Sequence, residues 1–248
     1  MMLNIKNIRS GPRHFFRLKV MEWLLSKSIK EGLILDAGAG DGSLSIQLAK
    51  KCFNIYAVEP SREWSDIFKN RLKRAGLEKN IKIFNSPLEE INFLTESFDA
   101  IVCGEVLEHI DDDKKALKCF YSLLKKGGIL ILSVPLVNKG WDISDEIGGH
   151  KRLYVFRELV SLLNTCGFKT EKTISWGYPF TKLYNKFIFV NWAKLLKSEE
   201  EIRRPKMLTT QIGKNSLVSI LLGLIFFIDV FFTPPDKAIG IALKAKKP

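Results

Sequence analysis

Short apolar runs alternate along this chain with longer segments whose apolar positions return every three or four residues. "LILDAG" (33–38) is an apolar run stopped by turn residues, the pattern of a buried strand. "SLSIQLAKK" (43–51) follows with Leu44, Ile46, Leu48 and Ala49 at helical spacings. "NIYAVEP" (54–60) predicts a second strand, stopped by Pro60. Residues 61–76 predict a helix, with Ser61 as its N-cap, Glu63 early, basic residues late and Gly76 at its end. "IKIFN" (81–85) reads as a third strand. "FDAIVCGEV" (98–106) reads as a fourth, apolar enough to be buried on both faces. A helix is expected over 111–128, acidic at its start and lysine–glycine at its end, followed by a fifth strand over 129–135. This alternation argues for a parallel sheet with helices on both faces.

The last third breaks the rhythm. "FKTEKTISWGY" (168–178) predicts a sixth strand and "AIGIALKAKK" (238–247) the last one. Between them lie an amphipathic helix candidate (179–197), the charged stretch "SEEEIRRPK" and a nearly all-apolar run (217–232). An apolar stripe through Phe16, Val20, Trp23 and Leu24 predicts a helix over 13–25. The organisation expected is an N-terminal helical lid (1–31), an α/β core (32–178), an inserted helical cap (179–233) and a final strand completing the sheet (234–248). The run 217–232 is shorter than the roughly 20 residues a membrane span needs, and it contains Asp229. Three readings stay open for it: a helix buried against the domain, a lid or dimer contact over the acceptor site, or a peripheral membrane contact with lysines at its rim.

Composition narrows the class. The chain has 248 residues, 46% of them hydrophobic, which suits a folded α/β domain and excludes a disordered chain. Cys52, Cys103, Cys119 and Cys166 are far apart and form no CxxC pair. Neither a metal site nor a disulfide framework is therefore expected, and a reducing, cytoplasmic compartment fits. Residues 1–35 carry charges throughout, so no leader peptide is expected. The net charge of +12 implies attraction to anions: nucleic acid, an acidic lipid surface or a phosphorylated substrate. Lysine is spread along the chain and no nucleic-acid-binding motif is present, so no sequence-specific nucleic-acid partner is expected.

The stretch "LILDAGAGDGSL" places Gly38, Gly40 and Gly42 within five residues. Glycine inside an element costs about 0.5–1 kcal/mol relative to alanine. The backbone there must need positive φ angles, or something must approach it closely. The loop ends the first strand, at the sheet end where doubly wound folds take their ligands. Glu59 ends the second strand, where an acid accepts hydrogen bonds from ribose hydroxyls. A dinucleotide fingerprint needs a third glycine where Ser43 stands, which disfavours a nicotinamide-dependent oxidoreductase. Asp36, two residues before the first glycine, suits a cofactor bearing an ammonium group.

At these residues the chain resembles the class I S-adenosylmethionine-dependent methyltransferases. "LDAGAGDG", "AVEPS", "FDAIVCGEVLEHIDD" and "LLKKGGILILSVP" match that family's motifs in order. Outside the core, an aromatic-basic N-terminal helix and a GHxRxY element ("GHKRLY") resemble one subgroup. The resemblance implies a doubly wound, seven-stranded, mostly parallel sheet with its last strand antiparallel. It implies S-adenosylmethionine held by Asp36, Ala37, Gly38, Ala39, Gly40, Glu59, Pro60, Ser86, Pro87, Leu88, Gly104 and Glu105. Many relatives carry an acid where Ser86 stands; a serine hydroxyl accepts the adenine amino group more weakly, or Glu89 takes part. His14, Arg152 and Tyr154 are the expected acceptor contacts. His109 and His150 both fall at the ligand end of the sheet and are candidate general bases, the alternative being a structural role. The implied reaction is methyl transfer to a small, apolar or lipid-like acceptor, through oxygen, nitrogen or carbon. A non-catalytic binding module on the same fold is the competing reading, and the oligomeric state stays open.

Overall fold

The computed structural model describes residues 11–91, 93–189 and 216–248. In chain order its elements are α1 (Pro12–Ser28), β1 (Leu33–Ala37), α2 (Ser43–Ala49), β2 (Asn54–Val58), α3 (Arg62–Ala75), β3 (Ile81–Phe84), β4 (Phe98–Gly104), α4 (Asp113–Leu123), β5 (Leu124–Pro135), α5 (Ile143–Gly148), α6 (Phe156–Thr165), β6 (Lys169–Trp176), α7 (Phe180–Tyr184), α8 (Ser216–Phe232) and β7 (Gly240–Lys246). They form one seven-stranded sheet in the order β3-β2-β1-β4-β5-β7-β6. The first five strands pair in parallel, and β7 runs antiparallel between β5 and β6. Strand order reverses between β1 and β4, which opens a crevice at their carboxyl ends.

Alternation along the strands builds two cores. Ile34, Ile55, Ala57, Ala100, Val102, Ile129 and Ile131 face α1, α2, α3 and α8. Leu35, Ala37, Val58, Ile101, Cys103, Leu130 and Leu132 face α4 and α6. Each fully buried aliphatic or aromatic side chain contributes about 1.5–3 kcal/mol, which is why the central strands are apolar on both faces. α3 is bounded as its sequence predicts. Ser61 Oγ accepts from Trp64 N–H, and Gly76 ends the helix with φ +65°.

Two expected elements differ. The helix expected over 111–128 stops at Leu123, and "LKKGG" enters β5 instead. The reason is tertiary: the end of β7 pairs with it, Gly127 N–H donating to Lys247 O and Lys247 N–H to Gly128 O, both at 2.9 Å. Gly127 takes φ +78°, unsuited to a helix. Of the helix expected over 179–197, the described part is the short α7 followed by a wider π-type turn at Asn185–Phe189. Residues 190–197, the charged stretch after them, and residues 1–10 lie outside the described residues.

α8 covers the first core together with α1. Gly223 permits the close crossing: a Cβ there would lie 2.6 Å from Phe15 Cδ1. Phe16 of α1 meets Trp176, Phe226 and Phe227 edge-on, with ring centroids 5.3, 6.3 and 4.8 Å away. Asp229, fully buried, accepts hydrogen bonds from Phe180 N–H (2.9 Å), Thr181 N–H (2.7 Å) and Thr181 Oγ1 (2.5 Å), locking α7 onto α8. Among the described residues no helix is long and apolar enough to cross a membrane.

Candidate active site

The three glycines do different work. A Cβ on Gly38 would lie 2.2 Å from Val106 Cγ2, and one on Gly42 would lie 2.0 Å from the Phe68 ring. These two let β4 and α3 approach the loop. Gly40, at φ +55°, has open space where its Cβ would stand. It alone of the three presents bare backbone to open space. The loop's N–H groups are already spent on protein acceptors: Gly38 and Ala39 donate to Val58 O, Gly42 to Ala39 O and Ser43 to Asp41 Oδ1. A pyrophosphate would find few donors here, which weighs further against a dinucleotide. Arg71 pairs with Asp41 and donates to Ser43 Oγ at 3.0 Å, bracing the loop from α3.

Glu59 stands across from that open space. Its Oε2 accepts from Gly40 N–H at 2.8 Å and its Oε1 from Ser61 N–H at 2.9 Å. Burial raises its pKa, while the two backbone N–H groups pull it down. Both oxygens keep a second lone pair for ribose hydroxyls. Asn85, which sequence reasoning passed over, ties the neighbouring strand end to this one by donating to Glu59 O at 2.8 Å. Pro60, Ser86, Pro87 and Leu88 line the same end of β2 and β3, where Ser86 Oγ donates to Glu90 Oε2 at 3.2 Å. Asp36 is buried at the end of β1 and accepts from Ser45 Oγ at 2.6 Å. Burial lifts its pKa to about 7 despite that bond, with Glu59 adding to the rise. A cationic group brought against Asp36 would return it to the charged form. Ala37 is buried in the second core, and Gly104 admits Met21, whose Sδ would lie 2.9 Å from a Cβ there. At these two positions only the backbone is available to a cofactor.

The end of β4 turns sharply. Glu105 is one of three non-glycine residues with positive φ among the described residues, at +57°. Its Oε1 accepts from Ser133 Oγ at 3.1 Å and its Oε2 lies 3.3 Å from Arg17 Nη1. Burial opposes its charge, yet Arg17, Arg13 and Ser133 outweigh that and hold its pKa below the usual range. Arg17 also donates to His14 Nδ1 at 2.9 Å. Burial, then the Arg17 charge, drives the His14 pKa down to about 4, so this imidazole is neutral at pH 7 and carries its proton on Nε2. Beside Glu105 a small pocket of about 20 Å³ is lined by Arg13, Arg17, Pro135, Lys139, Trp176, Ile239 and Gly240. It sits over β5 and β7, two strands from the glycine loop. His14 therefore reaches this cavity through Arg17.

The two candidate bases come together. His109 and His150 rings meet edge-on with centroids 4.8 Å apart, and His109 Nδ1 lies 3.2 Å from Gly149 O. Burial, partly offset by that contact, lowers the His109 pKa. His150 Nδ1 lies 2.7 Å from Asp145 Oδ1, and Asp145 Oδ2 is 2.6 Å from Lys139 Nζ, whose chain lines the cavity. Burial pushes the Asp145 carboxyl up, but His150 and Lys139 overcome it and bring its pKa to about 2. Glu108 is fully buried behind them, with neither carboxyl oxygen hydrogen-bonded. Burial and then the Glu105 charge raise its pKa well above the ordinary carboxylate value. Glu108, His109 and His150 offer ligand atoms within 4.8 Å of one another. Cysteine spacing led to the expectation of no metal site; the fold makes this donor set from Glu108 and His109 on one segment and His150 on another, a grouping that spacing does not reveal.

Arg152 and Tyr154 both have partners within the protein. Arg152 pairs with Asp113 at 2.8 Å and donates to Asp111 O at 2.7 Å. Tyr154 is buried, its hydroxyl donating to Asp113 Oδ2 at 2.9 Å. Both side chains tie the loop after β5 to the start of α4. The residues that do line the cavity, Arg13, Arg17, Lys139 and Trp176, went unmarked in sequence. The one available signal was Arg13 and Arg17 at i and i+4 on a single helix face.

A switch-point crevice, a glycine loop tied to an acid just past β2 and a small pocket over β5 and β7 mark the ligand end of this doubly wound sheet. Residues 35–132 match the family described as Methyltransferase domain. The chain thus carries a segment similar to a methyltransferase domain, within a fold it shares with solved methyltransferases. It is 34% identical over 120 residues to a ubiquinone biosynthesis O-methyltransferase of Coxiella burnetii, an overlap of 47% of this chain and 48% of that one. It is 25% identical over 183 residues to the enzyme of that name from Actinobacillus pleuropneumoniae, covering 66% of this chain and 78% of the other. The chain thus spans about half the length of the first of these relatives. Among solved structures, 1,6-didemethyltoxoflavin-N1-methyltransferase of Burkholderia thailandensis, with bound S-adenosylhomocysteine, shares the fold at a TM-score of 0.56 and 16% identity, over 93% of this chain and 78% of that one.

Proposed function

We propose that the protein transfers the methyl group of S-adenosylmethionine to an oxygen of a small, apolar, lipid-like acceptor. The observation that carries this reading is the joining of two sites at one sheet end: the open backbone at Gly40 beside Glu59, and the cavity over β5 and β7. Asp36, the Gly38–Gly40 backbone, Glu59 and the Ser86–Leu88 wall would hold the cofactor, which supplies a methyl group already activated on a sulfonium. The chain's main task is then alignment, which can contribute several kcal/mol (of the roughly 7–11 available to well-oriented reactants). Trp176, Pro135 and Ile239 offer the acceptor an apolar wall. Arg13 and Arg17 favour its ionised hydroxyl. His150 takes the hydroxyl proton at Nε2, the nitrogen that Asp145 leaves open, and Asp145 steadies the imidazolium. The names of the relatives support oxygen as the atom methylated and an apolar acceptor.

The test is label transfer from methyl-tritiated S-adenosylmethionine to alkylated catechols, with amines of matched size alongside. Label in the catechols, increasing with alkyl length, is expected. Label only in amines overturns the oxygen assignment. Binding of S-adenosylhomocysteine without transfer to any acceptor from a native extract supports the binding-module reading, and tight NADH binding instead would remove the whole assignment.

A further inference from the structure

The outer face of the α7–α8 layer carries apolar side chains that the active-site reading does not use. Along α8, Leu221, Leu224, Ile225, Ile228, Phe231 and Phe232 are exposed, at spacings that put them on one stripe. The opposite stripe, Ile220, Phe226 and Asp229, is buried. α7 and the turn after it extend the exposed stripe through Phe180, Leu183 and Phe187. The Asp229 cap and the Tyr184–Phe226 ring contact at 5.4 Å make the two helices one surface. Phe231 is 84% exposed and Phe187 61%. Contiguous apolar surface of this kind on a folded chain marks a partner.

The charges select the partner. Lys182 and Lys186 stand exposed among these rings. Asp229 is the single acid across α7, the turn and α8, and it is buried as a cap. A second copy placed face to face would set lysines against lysines. An anionic surface would meet them favourably, in a chain of net charge +12. α8 has 17 residues, about 26 Å of helix against a hydrocarbon core of roughly 30 Å, so it lies along a bilayer rather than through it. The patch also adjoins the cavity: Asn185, in the turn after α7, accepts a hydrogen bond from Arg13.

We propose that this face docks on an anionic phospholipid bilayer, with the α8 stripe entering the headgroup–acyl boundary and Lys182 and Lys186 meeting lipid phosphates. The proposal stands on the surface itself and is independent of the methyl-transfer reading. The test is co-sedimentation of the full chain with phosphatidylcholine vesicles, with and without about 30% phosphatidylglycerol. Strong sedimentation with anionic vesicles and weak sedimentation with neutral ones is expected. Phe231→Ser with Phe232→Ser should weaken binding at least roughly tenfold. Lys182→Glu with Lys186→Glu should weaken binding to the anionic vesicles alone, by about fivefold or more for each charge. All four substituted positions are solvent-facing, so unchanged S-adenosylhomocysteine affinity and melting temperature certify the fold. Wild type remaining in the supernatant with anionic vesicles overturns the proposal; a monomer in the ultracentrifuge would then assign the face to the chain's own segment 190–215, and a dimer to a second copy. Equal binding by the Phe231/Phe232 variant also overturns it.

Discussion

Glu59 Oε2 accepts a hydrogen bond from the Gly40 backbone N–H at 2.8 Å, so the acid proposed to hold the ribose also shapes the loop that faces it. One carboxylate thus couples the ends of β1 and β2, and cofactor affinity should be sensitive to both residues at once.

Gly40→Val meets no clash at its Cβ and carries only the strain of a β-branched residue at φ +55°, so it should lose less stability than a clashing variant, yet S-adenosylhomocysteine affinity should fall roughly a hundredfold or more as the side chain fills the open space. Gly42→Val should lose more stability, its side chain driven into the Phe68 ring. Melting curves and calorimetry on the two variants separate a ligand glycine from a packing glycine. Equal destabilisation by both would refute the distinction.

Asp36 makes cofactor binding pH-dependent. Burial lifts its pKa to about 7 in the free protein, so below that value it is protonated and offers no charge to an ammonium group. Affinity for S-adenosylhomocysteine should fall as pH drops from about 8 to about 6, and binding near neutrality should release a proton. Asp36→Asn should bind more weakly and show a flatter profile. A wild-type affinity independent of pH across that window excludes Asp36 from the ammonium contact.

His150→Gln should lower turnover roughly a hundredfold or more while leaving donor affinity unchanged. Asp145→Asn should lower it less, since the imidazole loses its orienting partner and keeps its own nitrogen. Asp145 is held near pKa 2, so it stays ionised at every working pH and contributes no limb to the rate profile. Full activity in His150→Gln would assign the pair to structure.

Asp229→Ala should destabilise the fold by roughly 2–3 kcal/mol, because two buried backbone donors and the Thr181 hydroxyl lose their acceptor together. Denaturant titration reads the change. Asp229→Asn, which keeps one acceptor oxygen, should recover part of it.

Much of the fold was legible because parallel strands buried on both faces leave unbroken apolar runs, and "FDAIVCG" has no other use. α3 was legible to the residue because Ser61 and Gly76 are local signals. The boundary between α4 and β5 was not. Lysine and glycine end a helix well, but nothing within "KKGG" says that β7, more than a hundred positions away, will pair with it. In the site, Asp36, Gly40 and Glu59 were legible as a spacing fixed by one β-α-β unit. The pairing of Arg152 and Tyr154 with Asp113 was not legible, because Asp113 becomes their neighbour only in the folded chain.

The sequence by itself determined the sheet's alternation, the glycine loop, the acid that faces it and the apolar character of α8, since each depends on residues near one another along the chain. Tertiary structure alone decided which glycine meets open space, which histidine gains an aspartate and which stripe of α8 is left outside. Those outcomes depend on distances between elements, and such distances are set when both faces of the sheet are packed.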